Sequence, residues 1–368
     1  MRYDIIITLI LVLIHTGLFA NETISFTWEG GGHKNFQLTA TFNEEYTIDW
    51  GDGIVEKMLG NQRDLLRHNY HDDNEYTVII KSVRDNCFFT DLYIRGSKLI
   101  HLDVSKGFSL KNIICSINQL SILDVSNNVN LETLGCDNNK IKKLDLSKNK
   151  KLTILNCNGN LLKVLNLNTC EKLHTLYCSN NRLLILEIQK LPYLRTINCS
   201  FNHLTSLDVT GSDNLYSLNC QNNKLTNLNI IKNSSIGLDY GNSIRELNCY
   251  NNSLKLSDLY KINKVATPFS RIFGRQVLKS ILINIGEIVD FSEERKFDGI
   301  ETSFTITEKG ITSSSEKYLI SEGKIKFTQE GNYTITFKNS NIKDGNHGGT
   351  QGNWQDTVQI EIDIIVKK

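Results

Sequence analysis

Leu131-Glu132-Thr133-Leu134-Gly135-Cys136-Asp137-Asn138-Asn139-Lys140-Ile141-Lys142-Lys143-Leu144-Asp145-Leu146-Ser147-Lys148-Asn149-Lys150-Lys151 is one unit of a pattern that recurs every 21 residues. Units open at Phe89, Leu110, Leu131, Leu152, Leu173, Leu194 and Leu215, and a partial one opens at Ile244 after about eight extra residues. A fixed period of this length marks a solenoid, in which each coil buries its apolar edge only against its neighbours. Each unit holds two nested phrases, Leu-x-x-Leu-x-Cys-x-x-Asn and Ile-x-x-Leu-x-Leu-x-x-Asn. Alternating apolar residues followed by a turn residue read as a short strand and a bend. Alternation places Leu134 and Cys136 on the buried face of such a strand and Thr133, Gly135 and Asp137 on the outer one. Two strands per coil leave little room for a helix, so the chain is expected to be mainly β.

Asn118, Asn139, Asn160, Asn181, Asn202, Asn223 and Asn252 recur at one position. A buried amide there satisfies backbone groups freed where the strand turns, which would otherwise be buried unpaired. Cys115, Cys136, Cys157, Cys178, Cys199, Cys220 and Cys249 recur at another; only Cys87 and Cys170 of the nine cysteines fall elsewhere. Rungs of such a ladder sit about 4.8 Å apart with parallel Cα–Cβ bonds, an unfavourable geometry for disulfides. No Cys-x-x-Cys pair or histidine set supplies a zinc site. Both series are read as structural, the thiols as small packing groups.

The repeated Leu-x-x-Leu-x-Cys-x-x-Asn-x-Leu-x-x-Leu-Asp-Leu-Ser-x-Asn resembles the leucine-rich repeats of secreted bacterial proteins. It is similar to internalin-like proteins and their 21-residue nested repeats, with Cys where Leu or Ile is usual. The resemblance covers under half the chain. It implies a curved solenoid for protein or glycan contact, often in adhesion, and it implies no catalysis. Gly107, Cys170, Leu191 and Ser212 replace the second Asn in their units, and Gly237 to Ser243 is expected to bulge from the solenoid.

At 368 residues the chain is too long for one compact core, so several modules are expected. A formal net charge of +1 gives no pull toward nucleic acid or an anionic membrane. Residues 1–20 combine Arg2, an apolar run from Ile5 to Leu13 and a small residue at Ala20, as a secretory signal peptide requires. The run is short for a membrane span. No membrane insertion is therefore expected after signal cleavage, and the location is read as secreted or cell surface.

Residues 21–84 alternate as a small β domain. Trp50-Gly51-Asp52-Gly53, His68-x-Tyr70 and Tyr76-Thr77-Val78 resemble the polycystic-kidney-disease (PKD) type of immunoglobulin-like domain, which implies a spacer or presentation module. The solenoid follows over 85–260, then a linker or cap over 261–276. Strand-like runs return over 277–368, where Gly331-x-Tyr333-Thr334-Ile335 looks like a bacterial immunoglobulin-like sandwich. The stretch from Asn339 to Thr357 is expected to be a long loop. The fold class is thus mainly β: a leucine-rich-repeat solenoid of seven to eight coils between two small sandwich-like domains.

The sequence shows no nucleophile elbow, phosphate loop, dinucleotide fingerprint or His-Glu-x-x-His helix. His68, His71, Asp72 and Asp73 are not read as a metal site, because alternation sets His68 and His71 on opposite sides and Asp72-Asp73-Asn74 reads as a polar turn. Asp344, Asn346, His347 and Asp356 offer oxygens suited to calcium, but no twelve-residue calcium loop is present. The reading is a non-enzyme without cofactor or metal. Lys140, Lys142, Lys143, Lys148, Lys150 and Lys151 form a basic cluster on one coil, the mark of a solvated face or of an acidic partner. The candidate ligand-binding face is the outer side of the first-strand ladder: Tyr93, Asn156, Tyr177, Asn198, Phe201, Asn219, Asn248 and Tyr250. Aromatics beside amides suit protein hot spots and sugar stacking alike, so the partner is a host or cell-surface protein or a glycan. The chain is read as a monomer; a purely structural spacer is the third reading.

Overall fold

The computed structural model describes residues 21–61, 63–189, 191–230, 244, 246–265, 270–346 and 357–368. The expected signal segment 1–20 and the inserted stretch 237–243 lie outside them. The fold is mainly β, and its repeats form a leucine-rich β-solenoid of about seven turns. Two compact units divide the chain, Met1–Leu173 and His174–Lys368.

Unit 1 contains β1 (Thr23–Glu29), β2 (Gly32–Ala40), β3 (Glu45–Asp49), β4 (Val55–Leu59), β5 (Asp64–Tyr70), β6 (Glu75–Ser82), β7 (Phe89–Tyr93) and β8 (Leu99–Lys106). The first-phrase strands β9 (Asn112–Ile114), β10 (Thr133–Gly135) and β11 (Ile154–Asn156) complete it. One sheet runs β4-β3-β6-β1-β8, and the other contains the path β5-β2-β7-β9-β10-β11. The alternation of β1 and β2 buries Phe26, Trp28, Phe36 and Leu38 between the sheets. Phe26 meets Trp28 and Phe36 at ring separations of 5.1 Å each, and Phe36 meets Trp50 at 5.8 Å. Antiparallel pairing of β2 with β7, and of β1 with β8, joins this aromatic core to the first coil. The buried Glu22 carboxylate strengthens the junction by accepting from the Phe89 and Ser109 amides, each at 2.7 Å.

The Trp50-Gly51-Asp52-Gly53 turn is built for packing. Gly51 has φ +83°, and a Cβ there would lie 2.5 Å from the Thr77 carbonyl oxygen, so only glycine fits. Asp49 and Asp52 each accept the amide two residues ahead, at 3.0 and 3.1 Å. His68 stacks on Trp50 at 4.7 Å and meets the Asp52 carboxylate at 2.6 Å.

In unit 2 the first-phrase strands are β12 (Thr175–Tyr177), β13 (Thr196–Asn198), β15 (Ser217–Asn219) and β17 (Glu246–Asn248). They pair in parallel and in register. A second short ladder forms from β14 (Ser206–Asp208) and β16 (Asn227–Asn229). Two elements follow the last coil, around the linker or cap expected over 261–276. First, residues 256–265 form a helix, α1 (Leu256–Val265). Leu256, Leu259 and Ile262 are buried on its inner face, the three-residue spacing of a helix side. Leu254 and Leu256 mimic the strand alternation of the preceding coils, which hides the change of period. Second, β18 (Ser270–Ile272) extends the parallel ladder by one strand beyond β17.

The C-terminal part is a sandwich. One sheet follows Gln276–Val277, Thr357–Lys367, Gly331–Lys343, Ser303–Glu308 and Ile311–Thr312, and the facing one follows Ile288–Asp290, Lys324–Phe327 and Tyr318–Ser321. Phe291 meets Phe337 at 4.8 Å and Phe327 meets Tyr333 at 4.6 Å across the core. The strand Gly331–Lys343 runs through Asn339, where the loop expected from the sequence would start, and residues 347–356 of that expected loop lie outside the described residues. Asn339 is buried, and its amide donates to the Ile300 carbonyl at 3.0 Å, where the pairing with the Thr357–Lys367 strand becomes irregular after Lys338.

Candidate binding face

The asparagine ladder sets the shape of every coil. Asn139 donates to the Cys115, Cys136 and Asp137 carbonyls at 3.0, 3.0 and 3.3 Å and accepts from the Leu120 amide at 3.0 Å. Asn118 and Asn160 do the same in unit 1, as Asn202, Asn223 and Asn252 do in unit 2. One side chain thus satisfies several backbone groups that the bend removes from strand pairing. In the second phrase, Asn128 and Asn149 donate in the same manner to carbonyls of the preceding coil. Cys170 and Ser212 stand where the sequence loses this Asn; the Cys170 thiol lies 4.0 Å from the Leu146 carbonyl, and the Ser212 hydroxyl donates to that of Leu191 at 3.3 Å.

All nine cysteines are free and buried. Burial pushes the Cys115, Cys157 and Cys199 thiols up to about 12 and those of Cys87 and Cys170 up to about 11. A nucleophilic or redox-active cysteine needs the opposite shift. Among the described residues no group of three or more metal-ligating side chains converges.

The outer face carries the candidate residues in rows. In unit 2, Tyr177, Asn198, Asn219 and Asn248 stand side by side on successive strands. In unit 1 the corresponding row is Tyr93, Ile114, Gly135 and Asn156. The asparagines of these rows also perform a local task. Asn156, Asn198, Asn219 and Asn248 each accept, through Oδ1, the amide two residues ahead at 3.2–3.3 Å. These are Asx turns that start the bend. The Asn156 amide donates to Asp137 at 3.0 Å and that of Asn248 to Gln221 at 3.0 Å. The amides are therefore partly committed to the scaffold, and the side chains least explained by it are aromatic or aliphatic.

Those side chains gather where the bend begins. The residue before each ladder Asn is in the left-handed region: Ile117, Asn138, Gly159, Asn180, Phe201, Asn222 and Asn251 have φ between +53° and +61°. Gly and Asn adopt this conformation readily, whereas a β-branched or bulky residue is strained there. Ile117 and Phe201 are nonetheless present, 46% and 47% exposed. Phe201 belongs to the face read from sequence; Ile117 does not, and its signal was an aliphatic residue where Gly or Asn fits the turn. Tyr250, also 39% exposed, packs close to Gly274, where a Cβ would collide with its ring.

The lysine cluster is exposed and belongs to the second phrase of its coil, away from the first-strand rows. Lys140 donates to Gln119 at 2.9 Å and Lys151 to Asn130 at 2.7 Å. Unit 2 also holds a mainly apolar groove of about 650 Å³, lined in part by Ile281, Ile283, Val289 and Phe291.

No protein-family model matches the chain, and no curated protein matches it. Solved structures do. The functional domain of InlJ from Listeria monocytogenes, which includes a cysteine ladder, is 22% identical, covers 76% of this chain and 67% of its own, and superposes with a TM-score of 0.42. The leucine-rich repeat domain of APL1B is 15% identical over 51% of this chain and 65% of its own, with a TM-score of 0.41. The internalin InlF from Listeria monocytogenes is 18% identical over 51% and 80%, with a TM-score of 0.30. The matches thus span about two thirds of the first two proteins.

Proposed function

We propose that the chain is an exported, non-enzymatic scaffold that recognises a protein partner through the outer face of its repeat coils, in adhesion at the cell surface or outside it. The signal-like character of residues 1–20 supports export. The modules over 21–84 and 277–368, PKD-like and immunoglobulin-like, frame the solenoid in this reading. The observation that carries it is Ile117 and Phe201: each is about half exposed, and each is in the left-handed region that favours Gly or Asn. Strain retained on a surface points to use of that surface, and large exposed apolar side chains are the anchors of protein interfaces.

The test is capture of purified extracellular-matrix and cell-surface proteins by the mature chain, repeated with Ile117→Asn and Phe201→Asn and run beside a glycan array. A protein captured by the wild type and lost in either variant supports the reading. Capture unchanged in both variants overturns it. A hit on the glycan array alone replaces the protein partner by a carbohydrate, and silence in both screens leaves a structural spacer.

A further inference from the structure

The binding face of unit 1 does not stop at the first coil. β2 pairs with β7 and β5 pairs with β2, so the row Asn156, Gly135, Ile114, Tyr93 continues through Gln37 to Leu65 in unbroken register. The opposite faces of these strands bury Phe36, Leu38, Leu66 and Leu92, so alternation leaves the row outward. Over β2 and β5 this outer face consists of His33, Asn35 and Gln37 opposite Asn69, Arg67 and Leu65, with no carboxylate; beyond Thr39 the face meets Asp91 of β7, whose carboxylate accepts from the Thr90 hydroxyl and the Asn112 amide. Asp64, the nearest acid in sequence, turns inward to accept from the Tyr46 hydroxyl at 3.0 Å.

Three arginines belong to this end of the face. Arg67 is opposite Asn35. Arg95 follows β7, and its carbonyl accepts from the Ser97 hydroxyl, which also reaches the Asn35 carbonyl. Arg63 lies over the Tyr93 ring at 5.8 Å. Arg67 and Arg95 are exposed, and none of the three pairs with a carboxylate among the described residues. Leu65, 44% exposed, stands on the same face of β5 as Arg67. Arg with Tyr and an exposed leucine is the composition of a protein hot spot; a sulfated glycan has little use for Leu65. Unpaired guanidinium forks match carboxylates two bonds at a time.

We infer that the N-terminal β domain is part of the recognition surface and that its outer sheet takes an acidic stretch of polypeptide, whose carboxylates face Arg63, Arg67 and Arg95. The inference rests on the binding role proposed above and names the chemistry of the partner at one end of the face.

Fluorescent poly-L-glutamate is the probe, titrated against the mature chain by anisotropy at 50 and 200 mM salt. The wild type binds, more weakly at the higher salt, and Arg63→Glu/Arg67→Glu/Arg95→Glu loses at least tenfold. Arg63→Gln/Arg67→Gln/Arg95→Gln serves as the milder variant, and unchanged circular-dichroism melting of either shows that the fold persists. Absence of poly-L-glutamate binding to the wild type, or equal binding by the folded variants, overturns the inference. Tighter binding of heparin than of poly-L-glutamate assigns the arginines to a glycan and overturns it also. Loss of protein capture in Ile117→Asn or Phe201→Asn tests the wider reading separately, by a readout in which poly-L-glutamate plays no part.

Discussion

Gln276 donates through Nε2 to the Cys249 carbonyl at 3.0 Å and to the Phe273 carbonyl at 2.6 Å, while its Oε1 accepts from the Leu254 amide at 3.2 Å. It is fully buried. These are the bonds that Asn252 makes one coil earlier, to Cys220, Cys249 and the Leu225 amide. A glutamine therefore closes the asparagine ladder, and Phe273 takes the place of the next ladder cysteine.

Gln276→Ala is expected to cost about 2–3 kcal/mol, because it leaves buried backbone groups unsatisfied. The measurement is urea unfolding with a fixed slope. A loss below about 0.5 kcal/mol would show that water or a backbone shift replaces the side chain.

Why this last rung was invisible in the sequence is a matter of local chemistry. Ile272-Phe273-Gly274-Arg275-Gln276 shares no residue type with the Cys-x-x-Asn of the regular coils, and its left-handed residue, Gly274 at φ +55°, comes one position earlier than Asn251 does before Asn252. The regular coils were legible because burial repeats: Leu134, Cys136, Ile141 and Leu146 are buried at the same spacing as their counterparts one unit away. The helix α1 was not, since Leu254 and Leu256 serve a strand and a helix equally well over three residues. The face was half legible. Its aromatics stood out, but the Asx-turn role of Asn198 and the outward register of Arg67 depend on the three-dimensional bend and on β2–β5 pairing.

Ile117→Asn and Phe201→Asn should each hold stability constant or raise it, by up to about 1 kcal/mol, because Asn relieves a left-handed residue of its side-chain strain. Urea midpoints of the two variants decide this. A fall of more than about 1 kcal/mol would mean that these side chains pack in the fold, and the argument for a functional surface would lose its basis.

Gly51→Ala should destabilise unit 1 by about 2 kcal/mol or more, through a positive φ and a Cβ forced onto the Thr77 carbonyl. Near-ultraviolet circular dichroism reads the effect through Trp50, which the Gly51 turn follows and on which His68 stacks. An unaltered melting curve would show that the turn relaxes at little cost.

The ladder thiols should make the protein sensitive to alkali. Burial holds Cys157 near 12, against 9.0 for a free thiol. Below about pH 9 the thiol is protonated in both folded and unfolded chains, and stability is independent of it. Above that pH the unfolded chain releases the proton while the buried thiol keeps it. The unfolded state then binds fewer protons, so stability falls as pH rises, by roughly 1 kcal/mol per thiol per pH unit until the folded thiol also ionises. Lysines and tyrosines titrate over the same range, so the comparison is with Cys157→Ala, whose stability should fall less steeply between pH 9 and 11. Identical slopes would mean that the Cys157 thiol is not held protonated. Native protein at pH 8 should, for the same reason, react with a thiol reagent far more slowly than protein in denaturant. Rapid native labelling would show coils that open locally and expose the ladder.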